Sequence, residues 1–237
     1  MTYKKDTIVI MPAYNAEKTI LSTIKNLPEI YSEIILCDDK SNDNTFEVSK
    51  KLGLTSIRHE KNIGYGGNQK TLYNTALERN PKIIAMVHPD NQYDTSSVPK
   101  MIHLIENNSA DLILGTRMRS ALKNKMPLWK WMSNKLLTAL QNKVFNTNLS
   151  EFHSGLRVYR ASILLKMPYI NFSDNFMFDS EVIAWFLANG YKIAEVNSNC
   201  YYNNEISSIS FHQSIIYGLG TIKTLYKYKM GYYSNKY

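Results

Sequence analysis

Ile83-Ile84-Ala85-Met86-Val87-His88-Pro89-Asp90-Asn91-Gln92-Tyr93-Asp94 is the stretch that decides how this chain folds. The apolar run Ile83 to Val87, bounded by Pro81 and Pro89, has the length and composition of a buried strand. Imidazole, carboxylate and amide groups follow at once, where the strand stops. In an open α/β sheet that edge is where ligands bind. Asp90 and Gln92 both offer oxygen atoms, which suit a hard divalent cation carrying phosphates. A polar turn after a strand is also ordinary turn chemistry, so the surrounding segments decide between the two.

Upstream the same alternation recurs. Thr7 to Met11 reads as a strand ending at Pro12, and Ala16 to Leu27 predicts a helix capped by Asn15. Glu33 to Cys37 is a second strand, Asp43 to Leu52 a helix stopped by Gly53, and Thr55 to His59 a third strand. The turn Asn62-Ile63-Gly64-Tyr65-Gly66-Gly67 leads into a helix through Leu77. Downstream, a helix over Val98 to Glu106 precedes a strand at Leu112 to Leu114. This alternation predicts an α/β fold with a mostly parallel sheet, flanking helices and right-handed crossovers. Trp129, Met132, Leu136, Leu140 and Val144 recur at three- and four-residue steps, so Pro127 to Phe145 is an amphipathic helix. Its apolar stripe suits either the core or, given the Trp and Lys interleaved from Lys125 to Met132, a membrane interface. A helix over Ser180 to Asn189 stopped by Gly190, a strand over Lys192 to Val196 and a helix over Ile209 to Met230 complete the pattern. Gly218 and Gly220 weaken that last helix. No internal repeat or linker is visible, so a single domain over residues 1–237 is expected.

Composition sets the outer bounds. With 237 residues, 44% hydrophobic and 20% charged, the chain can bury a full core and is globular in type. No run approaches the roughly 18 apolar residues that span a bilayer, and no signal-peptide pattern opens the chain, which predicts a cytoplasmic protein. Cys37 and Cys200 lie far apart without metal-ligand spacing, and Cys37 reads as a reduced core residue. The net charge of +8 is uneven: residues 117–170 hold ten Lys or Arg against one acid, Glu151. Nucleic acid, an anionic membrane surface, a phosphorylated ligand and a merely solvated face all accommodate such a segment. The basic and aromatic tail from Lys223 to Lys229 repeats the theme. Acids at the strand ends oppose a polyanion in the cleft, so no nucleic-acid partner is expected.

Two further strand ends carry polar groups, in Met11-Pro12-Ala13-Tyr14-Asn15 and Leu36-Cys37-Asp38-Asp39-Lys40-Ser41. A carboxylate there can bind ribose hydroxyls or base N–H groups, and a tyrosine can stack on a base. No G-x-G-x-x-G follows the first strand and no Walker A sequence occurs, which argues against dehydrogenase and nucleoside-triphosphatase readings.

Taken in order, Ile8 to Glu17, Cys37 to Thr45, Asn62 to Asn68, His88 to Gln92, Gly115-Thr116-Arg117, Glu151 to Arg157 and Phe178 to Glu181 resemble glycosyltransferase family 2. Within it they are most similar to the dolichyl- and polyprenyl-phosphate sugar synthases. Ser207 to Phe211 and Tyr217 to Gly220 resemble a subgroup of the same family. The resemblance implies a GT-A fold, a Rossmann-like sheet with a nucleotide-sugar half over about 7–117 and an acceptor-side half over about 118–237. It implies that Pro12, Tyr14, Glu17, Asp38 or Asp39, Gly67, Asp90, Arg117 and Arg157 meet the nucleotide-sugar. Asp90 and Gln92 would bind Mn2+ or Mg2+, with His88 standing where the family's Asp-x-Asp motif has its first acid. An imidazole suits Mn2+ better than Mg2+. Arg117 would join the metal in stabilising charge on the leaving nucleoside diphosphate. On the acceptor side Glu151, Asp179 and Glu181 are candidate general bases if the acceptor is a hydroxyl, whereas an ionised lipid phosphate needs none. Asp179 and Glu181 also fit as acids at a helix start, and Arg157 either meets phosphate or pairs with Glu151. The implied activity is an inverting, metal-dependent transfer to polyprenyl phosphate or a lipid-linked glycan, in the cytoplasm or peripherally at the inner face of the membrane. The alternatives are transfer to a hydroxyl in surface polysaccharide synthesis, or a nucleotide-sugar-binding protein without catalysis.

Overall fold

The computed structural model describes residues 6–118, 120–124, 126–200 and 211–234. Every residue of β1 (Thr7–Ala13) is buried, as expected for a central strand covered on both faces. Its side chains alternate, Ile8 and Ile10 entering one core and Val9 and Met11 the other. The remaining strands are β2 (Glu33–Asp38), β3 (Thr55–Arg58), β4 (Ile83–Met86), β5 (Leu112–Thr116), β6 (Arg157–Arg160) and β7 (Ile193–Asn197). They form one sheet in the order β3-β2-β1-β4-β6-β5-β7. Every pairing is parallel except those of β6, which runs against both β4 and β5. The helices are α1 (Ile20–Asn26), α2 (Thr45–Lys51), α3 (Tyr65–Leu77), α4 (Val98–Glu106), α5 (Leu128–Phe145), α6 (Ala161–Leu164), α7 (Phe178–Ala188) and α8 (Phe211–Lys229). None of those described is long and apolar enough to cross a membrane.

The register gathers the strand ends. Ala13 lies opposite Asp38, and Arg157, at the start of β6, lies opposite Met86 near the end of β4. The strand order reverses between β1 and its neighbours β2 and β4, so the edge holding Ala13, Asp38 and His88 is the topological switch point of the sheet.

Three expectations change, and one alternative left open by the sequence closes. The first helix begins at Ile20, not Ala16, and Asn15 does not cap it: its φ of 53° turns the chain instead. The glycine-rich turn is the first turn of α3, which starts at Tyr65. β6 is a strand that the sequence hides, because its four residues begin and end in arginine. The amphipathic helix is α5, but its orientation is the reverse of a core-facing helix. Asn134, Thr138 and Gln141 point inward with Phe145, while Met132 and Leu136 are 58% and 74% exposed. A buried carboxylate explains the inversion, since Asn134 donates to Glu151 at 2.9 Å and Thr138 donates to Asn134 at 3.1 Å. Ile209 and the Ser207 to Ser210 part of the late motif lie outside the described residues, as does Lys125.

Gly66 is required by a close approach. A Cβ there would lie 2.3 Å from the Ser173 carbonyl oxygen and 2.7 Å from the Phe178 Cβ. A Cβ on Gly218, within α8, meets nothing within 4 Å. Gly66→Ala should therefore cost about 1–3 kcal/mol by overpacking. Gly218→Ala should be neutral or stabilise by up to about 1 kcal/mol through helix propensity. Urea denaturation of both variants checks the contrast.

Candidate active site

The loops after β1 and β2 are tied to each other. Ser41 Oγ accepts from Asn15 N–H at 2.8 Å, Thr45 Oγ1 from Ala16 N–H at 2.7 Å, and Asp43 from Glu17 N–H at 3.1 Å. Glu17 returns the contact by accepting from the Asn44 side chain and backbone at 2.9 and 3.0 Å, and these bonds lower its pKa. Glu17 thus braces the loop. Pro12 is buried within β1, and Tyr14 stands 52% exposed beside it, free to stack.

The two acids at the end of β2 have separate partners. Asp38 is fully buried, accepts from Ser41 N–H at 3.0 Å and from the Ser41 hydroxyl, and pairs with Arg58 at 3.2 Å. Asp39 accepts from Ile63 and Gly64 N–H, both at 2.9 Å, and lies 2.8 Å from His59 Nδ1. It therefore shapes the loop that begins α3. The start of that helix is closed by protein: the Asp174 carbonyl accepts from Gly66 N–H at 2.7 Å and Gly67 N–H at 3.1 Å. Gly67 is buried, with its N–H taken by that carbonyl.

Behind the end of β4 runs a chain of buried and half-buried polar groups. Tyr65 donates its hydroxyl proton to Asp179 Oδ2 at 3.0 Å. Having one proton to give, the hydroxyl receives its second bond, at 3.1 Å, from His88 Nε2–H. Burial lowers the His88 pKa against the opposing pull of Asp90 and Asp179, which favours this neutral form. Asp179 also accepts from Gln69 at 3.0 Å and pairs with the Arg157 guanidinium at 3.0 Å. Arg157 is wholly buried, and burial is the largest influence on its pKa and disfavours the charge, but Asp179 together with the hydroxyls of Tyr159, Tyr65 and Tyr73 outweighs it and the pKa is raised. The alternative pairing of Arg157 with Glu151 does not form.

Asp90 is poised differently. Its Oδ1 accepts from Gln92 N–H at 2.9 Å, and it makes no ion pair among the described residues. No cluster of three His, Cys, Asp or Glu side chains able to hold a metal occurs among those residues either. One half-buried carboxylate with an amide neighbour fits a cation that takes its other ligands from a diphosphate. His88 commits Nε2 to Tyr65, leaving Asp90 and Gln92 as the oxygen donors of this turn.

Arg117, just past β5, is held on three sides. Its Nε donates to Glu151 Oε1 at 2.8 Å, its backbone N–H to Glu151 Oε2 at 3.1 Å, and its guanidinium to the His153 carbonyl at 3.2 Å. Glu151 is fully buried and also accepts from Asn134, so both oxygens are spent on positioning Arg117. Glu181, 4% exposed, accepts from Ser173 N–H at 2.6 Å and from the Tyr233 hydroxyl at 3.3 Å. All three acids proposed as bases are thus engaged with protein donors.

Sequence reading missed the residues that organise these groups. Tyr65 and Gln69 sit one helical turn apart on α3 and reach Asp179. His59 links Asp39 to Thr71 at 2.9 Å. His153 bonds through Nδ1 to the Tyr217 hydroxyl at 2.7 Å, and burial lowers its pKa to about 4. The Tyr65–Gln69 spacing was a readable signal; the pairings of His59 and His153 join distant segments and leave no local trace.

Comparison with known proteins bears on this site. The model of the family described as Glycosyl transferase family 2 matches residues 8–167. An uncharacterised protein of Methanocaldococcus jannaschii is 35% identical over 196 residues, covering 81% of this chain and 80% of its own. The UDP-N-acetylglucosamine–dolichyl-phosphate N-acetylglucosaminyltransferase of Methanococcus voltae is 31% identical over 175 residues, 66% of this chain and 70% of its own. Glucosyl-3-phosphoglycerate synthase of Mycobacterium tuberculosis, crystallised with Mn2+, uridine diphosphate and phosphoglyceric acid, superposes with a TM-score of 0.68 at 18% identity. The match covers 94% of this chain and 78% of that one, and shows a shared fold.

Asp179→Asn leaves the Arg157 charge buried without its counter-ion and should cost about 3–5 kcal/mol. Exchanging both partners for apolar residues of similar volume should recover most of that loss. Equilibrium urea denaturation of the single and double variants tests this; a double variant as unstable as the single one contradicts it.

Proposed function

Because the chain belongs to glycosyltransferase family 2 and has the GT-A fold, we propose that it transfers a sugar from a nucleotide-sugar to polyprenyl phosphate, inverting the anomeric carbon. The observation that carries this reading is the engagement of Glu151, Asp179 and Glu181 by protein donors. A hydroxyl acceptor needs a base within hydrogen-bond reach, and these acids are already occupied. A phosphate monoester is ionised at neutral pH and brings its own nucleophile. The dolichyl-phosphate acceptor in the name of the Methanococcus relative supports the same choice.

The reaction is then a single displacement. An acceptor phosphate oxygen bonds to the anomeric carbon as the bond from that carbon to the donor's diphosphate breaks. The electron pair leaves with the nucleoside diphosphate, and no proton has to move. Having no protein nucleophile, the step inverts configuration. Tyr14 stacks on the base, and the braced loops of Glu17, Asp38 and Asp39 shape the nucleoside pocket. Arg117, held by Glu151, faces charge developing on the leaving group. Arg157 acts through Asp179 and Tyr65 on the shape of the site. Asp90 and Gln92 would hold Mn2+ or Mg2+, which when bound would offset charge on the diphosphate. His88 shapes this turn through its bond to Tyr65. Residues of about 7–117 serve the donor and of about 118–237 the acceptor, at the cytoplasmic face of a membrane, with no role for nucleic acid.

Thermal shift with a panel of nucleotide-sugars and Mn2+ tests the donor side. Asp90→Ala should lose the metal-dependent stabilisation, while His88→Asn should keep donor affinity within about threefold, well under the tenfold that 1.4 kcal/mol represents. Release of nucleoside diphosphate should depend on added polyprenyl phosphate. Release indifferent to the lipid with every donor would sink the reading.

A further inference from the structure

Two helices of the acceptor-side half carry large apolar residues on the outside. On α5, Leu128, Met132, Leu136 and Leu140 follow at four-residue steps and are 60%, 58%, 74% and 37% exposed. On α8, Leu219, Ile222 and Tyr226 are exposed as well. The helices pack on each other, the Phe145 ring meeting Tyr228 edge-on at 4.7 Å. Single exposed apolar residues are ordinary, but a stripe running the length of an 18-residue helix marks an interaction surface. Asn134, braced by Thr138 on the inward side of α5, holds the buried Glu151, so reversing the helix to hide the stripe would strip that carboxylate of a donor.

Charge identifies the occupant. Neither helix contains an Asp or Glu, and Lys130, Lys135, Lys143, Lys223, Lys227 and Lys229 lie along them. A second copy would set lysines against lysines. An anionic lipid surface satisfies both properties, taking the apolar side chains into its acyl boundary and the lysines at its headgroups. The same face continues into a cavity of about 460 Å3 lined by Ile216, Leu219, Lys223 and Lys227 of α8 together with Phe176 and Met177. Phe176 stacks on Tyr65 at 5.0 Å, and Tyr65 bonds to His88, two residues from Asp90.

We propose that the α5–α8 face docks on an anionic bilayer, with both helices lying in the headgroup layer, and that the cavity beside α8 admits the acceptor lipid directly from the membrane. The second clause rests on the polyprenyl-phosphate reading; the docking itself does not.

Sedimentation of the full chain with vesicles tests it, using phosphatidylcholine alone and phosphatidylcholine mixed with phosphatidylglycerol. Binding should require phosphatidylglycerol and weaken as salt rises. Leu136→Glu should lower the partition coefficient at least about tenfold, and Lys135→Glu and Lys223→Glu at least about fivefold each, with melting temperatures unchanged. Wild-type protein left in the supernatant at low salt overturns the proposal, as does Leu136→Glu binding like wild type. A wild-type dimer that Leu136→Glu converts to monomer in light scattering also overturns it, in favour of a second copy. Vesicle binding without transfer to polyprenyl phosphate upholds docking and overturns the acceptor reading. Transfer to a short-chain soluble acceptor without vesicle binding does the reverse.

Discussion

The buried guanidinium of Arg157 is the constraint on which the candidate site depends. It opens β6, the one antiparallel strand among those described, and it is wholly enclosed. A charge there demands a counter-ion, and Asp179 at the start of α7 supplies it at 3.0 Å. That requirement brings α7 against the end of the sheet, and Asp179 in turn collects Tyr65 and Gln69 from α3. A buried pair of this kind contributes little net stability compared with apolar replacements. Its consequence here is specificity: three elements distant in sequence share one arrangement, and His88 is fixed at the end of it.

The same logic distributes the acids. Glu151 holds Arg117, Asp179 holds Arg157, Asp39 holds the loop before α3, and Glu17 holds the loop after β2. Each carboxylate is a positioning group with its oxygens engaged. Asp90 stands apart, with a single bond to the Gln92 backbone and no cationic partner among the described residues. A site furnished this way favours chemistry in which charge is neutralised on the donor and the nucleophile arrives already ionised.

Much of the fold was legible because β1, β2 and β4 are apolar runs, and a short parallel strand leaves that trace. β6 was not, since Val158 and Tyr159 between two arginines make no run. The strand-end residues were legible by type, but their duties were not. Whether Glu151 acts as a base or braces Arg117 depends on its bonds to Arg117 and Asn134, residues distant in sequence, which no local pattern records. Periodicity announced α5 as amphipathic and said nothing of which side faces in. Only the buried carboxylate resolves that, and it turns the apolar stripe outward.

Glycosyltransferase activity follows from family membership; the identity of the nucleophile is the central claim, and the product itself decides it. Phosphorus-31 and proton NMR of the lipid formed from a nucleotide-sugar and polyprenyl phosphate reads both the linkage and the anomer. The account predicts a phosphodiester to the sugar, with the anomeric configuration inverted relative to the donor. A product whose lipid phosphate remains a monoester while the sugar is joined through a hydroxyl, or one that retains the donor's configuration, contradicts it.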